Sequence, residues 1–87
     1  MRSHQYYMLS FESTHQALAA QRFLQPRVPV GIMPTLRAVQ AGCGISLRVE
    51  PDGFAPLKKA LEAMQSGGWR LYFVEGETAP RVTPVDL

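Results

Sequence analysis

A two-layer α/β (α+β) sandwich, with four mostly antiparallel strands and two helices on one face, is the fold class predicted by this 87-residue sequence. Three observations carry the prediction. Apolar residues recur at helical spacing in two segments and at strand spacing, or as short apolar runs, in four others. The segments follow one another as β-α-β-β-α-β, with helix starts and stops falling between them. An apolar content of 46% with 18% charged residues is ordinary for a globular chain, and the length fits one small domain.

The first strand is Tyr6-Tyr7-Met8-Leu9-Ser10-Phe11, aromatic and apolar enough to be central. Ser13, with Gln16 three residues later, fits a capping box and predicts a helix that runs to about Gln25, before Pro26. Ala17, Ala20 and Leu24 form its apolar stripe, with Phe23 at the edge, and the two alanines imply close approach to a sheet. His15 projects away from that stripe. Residues 28–33 read as the second strand, and Pro29 suits an edge position because a missing N–H there costs no ladder bond. Residues 35–40 predict a short helical turn, and Ala41-Gly42-Cys43-Gly44 a tight loop.

Residues 45–50 alternate strictly, so that Ile45, Leu47 and Val49 face a core while Ser46, Arg48 and Glu50 face away. Pro51-Asp52-Gly53 is a turn into a second helix over 54–65, carried by Phe54, Leu57, Leu61 and Met64, with Gly67 as its left-handed stop. The fourth strand covers 69–74. Residues 1–75 thus form one domain, and 76–87, with prolines and no periodicity, an extended or flexible C-terminal tail, or an arm that packs on a partner. The simplest arrangement is the ferredoxin-like βαββαβ sandwich, with sheet order 4-1-3-2.

Composition narrows the function. The net charge is +2 and no run of cations exceeds Lys58-Lys59, which together with the absence of an aromatic-rich RNA-binding strand argues against nucleic acid. A single cysteine excludes an internal disulfide and a metal site built from several cysteines, so no metal or cofactor is expected, and a reducing cytoplasm is the natural compartment. The N-terminal residues lack a signal-peptide apolar core, and no apolar run approaches the roughly 20 residues that span a bilayer.

That cysteine, Cys43, is the candidate nucleophile. It sits between Gly42 and Gly44, just before the alternating strand, with Arg37 and Arg48 on either side. The predicted topology gathers residues 11–15, 34–44 and 66–69 at one end of the sheet. Cys43 should then lie near the N-terminus of the first helix, whose unpaired N–H groups and dipole favour an anion. A thiolate, the reactive form of cysteine, is favoured there with a cation nearby, which makes Ser13, Thr14, His15 and Arg37 its candidate supports. Gly42 and Gly44 would leave the sulfur accessible and let backbone amides approach it. The alternative is a small buried hydrophobe with no chemistry, the usual state of a lone free cysteine.

Two pieces carry a resemblance: Tyr7 with Phe11-Glu12-Ser13-Thr14-His15-Gln16-Ala17-Leu18, and Pro34-Thr35-Leu36-Arg37 with Gly42-Cys43-Gly44-Ile45-Ser46-Leu47-Arg48. They resemble, in the same order, the strand, helix start, turn and Cys-Gly strand of the selenium/sulfur (Se/S) carrier protein-like family of small bacterial proteins. The resemblance covers residues 6–74 and maps the family's cysteine, histidine and arginine to Cys43, His15 and Arg37. Leu36 departs from a frequent proline, Gln21 from an acidic residue and Gly42 from a serine.

The resemblance implies a carrier rather than a stand-alone enzyme. Cys43 would accept sulfane sulfur or selenium from a donor such as a cysteine desulfurase, hold it as a persulfide or its selenium equivalent, and pass it to an acceptor protein. Two other readings stand beside this one. One is a homodimeric binding or assembly module that uses an open sheet face of Tyr6, Met8, Ser46, Arg48, Arg70 and Tyr72, with Cys43 structural. The other is a hydrolase or transferase with a Cys43–His15 dyad and Glu12 as the nearest acid, for which 87 residues leave little room for a pocket.

Overall fold

A computed structural model of the protein describes residues 4–39, 44–64 and 67–86. The chain runs β1 (Gln5–Phe11), α1 (Thr14–Leu24), β2 (Gly31–Pro34), β3 (Ile45–Val49), a 3-10 turn (Pro51–Gly53), α2 (Phe54–Ala63), β4 (Trp69–Glu75) and β5 (Arg81–Pro84). This is a mixed α+β fold with one five-stranded sheet in the order β2-β3-β1-β4-β5, antiparallel at every pairing.

The four-stranded sheet expected from the sequence is corrected here. Residues 81–84, read as part of a tail, add a fifth strand along β4, with Phe73 opposite Thr83 and Val74 opposite Val82. The strand is four residues long, ends in Pro84 and follows Pro80, so it carries no period to read. Proline is tolerated because β5 is an edge. Gly76, at φ 100°, makes the turn that brings the chain back.

β1 is central, as its composition predicts. All seven of its residues pair with β4, and Tyr7 to Ser10 pair with β3. On one face Leu9, Phe11, Leu47, Val49 and Leu71 pack under Ala17, Ala20 and Leu24 of α1 and Leu57, Ala60 and Leu61 of α2. Each fully buried aliphatic side chain of this layer contributes roughly 1.5–3 kcal/mol through removal from water. Gly53 lets the turn before α2 press onto the core, because a Cβ there would lie 3.0 Å from Val49 Cγ1 and 3.1 Å from Val28 Cγ2.

The opposite face is covered, not open. Tyr6, Met8, Val39 and Val74 form a second buried cluster, flanked by Met33, Leu36, Tyr72 and Val82. Leu36 and Val39 come from the described part of the β2–β3 connection and pack on the sheet on the side away from the helices. Of the six residues assigned to an open face, only Arg70 is exposed, and Met8 and Ser46 are wholly buried. Strict alternation in β3 therefore marks two buried faces and not one core and one solvent face. Arg48 is accommodated by stacking its guanidinium 3.9 Å from the Tyr6 ring centroid while its Nε donates to Glu50 Oε2 at 2.6 Å.

Three local boundaries differ from expectation. β2 begins at Gly31 because Val28 turns inward, 1% exposed, with its N–H on the Leu24 carbonyl at 2.8 Å. α2 ends at Ala63, since Met64 is already extended (φ −77°, ψ 122°). The left-handed glycine after it is Gly68 (φ 80°), not Gly67. Among the described residues no helix is long and apolar enough to cross a membrane.

Candidate functional site

α1 opens at the end of the sheet where β1 finishes. Ser13 is its N-cap, extended at φ −143° and ψ 155°, and its Oγ accepts the Gln16 N–H at 3.2 Å. The capping box differs from expectation in its second half. The Gln16 side chain takes its hydrogen bond from the Ser13 hydroxyl, Oγ to Oε1 at 3.3 Å. The same Gln16 amide lies against Gly68, where a Cβ would come within 2.8 Å of Nε2. Trp69, the next residue, pairs with Phe11. Two of the three predicted segments, the start of α1 and the start of β4, are therefore in direct contact through Gln16.

The third segment reaches the same end through the sheet. Ser10 of β1 is opposite Ser46 of β3 and opposite Arg70 of β4. Gly44 lies two residues before Ser46, as Ser13 lies three beyond Ser10. The ladder between β2 and β3 extends one step past Pro34 and Ile45, because the Thr35 N–H donates to the Gly44 carbonyl at 3.0 Å. Between Thr35 and Gly44 the described residues 36–39 form an excursion that leaves the ladder at Thr35. It is pinned by a single turn, Val39 N–H to the Leu36 carbonyl at 3.0 Å, and by the packing of both side chains on the second face.

The predicted residues fall as follows. Cys43 and Gly42 lie outside the described residues, as does Ser66. Gly44 is exposed, and a Cβ there would meet nothing within 4 Å. Thr14 and His15 are exposed in the first turn of α1, and Arg37 is exposed in the excursion. Among the described residues neither the His15 nor the Arg37 side chain makes a hydrogen bond or ion pair, so the structure does not join them to Ser13 or to each other. The chemical offer of this end of the sheet is the α1 N-terminus, capped at Gln16 by Ser13, whose positive dipole end favours an anion.

Two features escaped the sequence reading. One is a set of hydroxyls beneath the excursion: Ser10 and Ser46, both buried, and Thr35, whose Oγ1 lies 2.6 Å from Ser46 Oγ. The alternation of β3 placed Ser46 in solvent, and only the covering of the second face reverses that. The other is Gln16, recognised as a cap but not as the link to Gly68. The paired glycines at 67 and 68 were the available signal.

No curated protein and no solved structure matches the chain. Residues 6–72 match the model of a family described as "Putative Se/S carrier protein-like", a span that takes in the Ser13 cap, the excursion with Cys43 and every element except β5 and the outer ends of β1 and β4. The chain belongs to that family.

Proposed function

We propose that the protein is a carrier of sulfur or selenium that holds its cargo on Cys43. The observation that carries this reading is the family match over residues 6–72, which includes Cys43, the only cysteine of the chain. Two further points support the reading: Gly44, the residue before β3, lies at the sheet end where α1 begins, and a helix start stabilises a thiolate more than a thiol.

In the loading step the Cys43 thiolate attacks the outer sulfur of a donor persulfide. A new S–S bond forms, the donor's S–S bond breaks, and the donor cysteine leaves as thiolate, so the sulfane sulfur changes partner without net oxidation. An acceptor thiolate then repeats the step on the Cys43 persulfide. One cysteine suffices because each exchange is between two proteins. A cysteine desulfurase is a suitable class of donor, and a reducing cytoplasm keeps the unloaded thiol available. Thr14 and His15 supply first-turn N–H groups, and Arg37 a cation on the same excursion.

The test is intact-protein mass spectrometry after incubation with an active cysteine desulfurase and cysteine. The expected result is a gain of one sulfur atom, mapped to Cys43, reversed by a dithiol reductant and lost in Cys43→Ser. An unchanged mass beside a demonstrably active donor overturns the proposal.

A further inference from the structure

A cleft of about 380 Å³ lies on the helical layer, between the end of α1 and one stripe of α2. Its lining is Arg27 from the turn after α1 and Pro56, Lys59, Ala60 and Ala63 from α2, the last four at helical spacing. The floor is aliphatic and small, and both polar walls are cationic. Arg27 is held in place: its guanidinium stacks 3.9 Å from the Phe23 ring centroid and donates to the Phe23 carbonyl at 2.6 Å. Neither Arg27 nor Lys59 forms an ion pair among the described residues, whereas Arg48 has Glu50. Along the two helices the charge is predominantly positive, since Arg22, Lys58 and Lys59 are exposed and Glu62 is the single carboxylate within α1 and α2.

We infer that this cleft docks an acidic segment of a partner protein, with a carboxylate between Arg27 and Lys59 and an aliphatic side chain on Ala60 and Ala63. Charge complementarity selects the occupant. A cation already immobilised on Phe23 loses little entropy when it meets a carboxylate, and a partner carboxylate answers charges that form no ion pair among the described residues. A nucleic acid fits less well. No aromatic ring lines the cleft for a base to stack on, and the apolar floor matches a side chain better than a phosphate. This docking is independent of the chemistry at Cys43 and stands or falls without it.

The experiment is an amide chemical-shift titration of the full chain with three probes. They are a synthetic peptide of alternating Glu and Leu, the same peptide with Gln for Glu, and a single-stranded oligothymidine. The Glu peptide is expected to move the signals of Arg27, Lys59, Ala60 and Ala63, and to bind at least about tenfold more tightly than the Gln peptide. Lys59→Glu should lose that difference. Because Arg27 also contacts Phe23, Arg27→Glu is read only beside a thermal melt, and Lys59→Glu carries the test if the Arg27 variant unfolds. Unmoved cleft signals, equal binding of the two peptides, or unchanged binding by Lys59→Glu overturns the assignment. So does oligothymidine binding at these residues more tightly than the Glu peptide.

Discussion

The side-chain oxygens of Thr35 and Ser46 lie 2.6 Å apart, so a side-chain hydrogen bond ties the base of the β2–β3 connection to a fully buried position on β3. Ser46 has no access to water, so removing its Thr35 partner takes away a buried hydrogen bond that solvent does not restore. Thr35→Val is therefore expected to destabilise the protein by about 1–3 kcal/mol. In Ser46→Ala the buried hydroxyl itself is gone, and the double variant should cost less than the sum of the two single changes. Urea denaturation followed through Trp69, the only tryptophan, measures all three. Strict additivity would show that the pair does not interact.

Gly68 makes a second prediction through its contact with Gln16. At φ 80° any other residue is strained, and Gly68→Ala should cost about 1–3 kcal/mol on that ground alone. A Cβ at 2.8 Å from Gln16 Nε2 adds a collision, which the Gln16 amide relieves by shifting and so disturbing its hydrogen bond with Ser13. Gly68→Ala should accordingly be less damaging in a Gln16→Ala background. Gly76→Ala is the control, because its φ of 100° is strained but its nearest contact, at 3.4 Å, is an ordinary one. Equal costs for Gly68→Ala in both backgrounds would remove Gln16 from the account.

Val39 tests the docking of the excursion on the sheet. It is 7% exposed and packs with Tyr6, Met8 and Val74, whereas Ala38 beside it is exposed. Val39→Ala should lower stability by about 1–2 kcal/mol, and Ala38→Ser should stay within about 0.5 kcal/mol of the parent. Thermal melts of the two variants separate the cases. A Val39→Ala protein as stable as Ala38→Ser would mean that the excursion does not rest on the second face.

Much of this architecture was legible in the sequence. The Ser13 cap, the Ala17–Ala20–Leu24 stripe and the aromatic and apolar run from Tyr6 to Phe11 are local signals, and each marked its element. The second buried face was not legible. Its cover comes from Leu36 and Val39, two apolar residues in a stretch with no strand period, and only three-dimensional closure reveals what they lie on. Strand β5 was missed for a related reason, since four residues ending in proline have no pattern of their own and become a strand by borrowing the ladder of β4. For the candidate site, the meeting of the α1 start with the β4 start at one end of the sheet was legible, whereas Cys43 and Gly42 lie outside the described residues. The Thr35–Ser46 bond and the Gln16–Gly68 contact depend on register across strands, which composition does not encode.

The placement of β5 has a consequence for solution behaviour. Without it, the outer edge of β4 would present a row of open backbone donors and acceptors beside Tyr72 and Val74, a template on which a second molecule's strand can add. β5 occupies that template and offers in its place an edge four residues long, closed by Pro84 and carrying Arg81. The last strand thus acts as a guard against sheet-to-sheet growth. A chain cut after Gly76 should aggregate more readily at high concentration than the parent, even with the α1 end of the sheet intact.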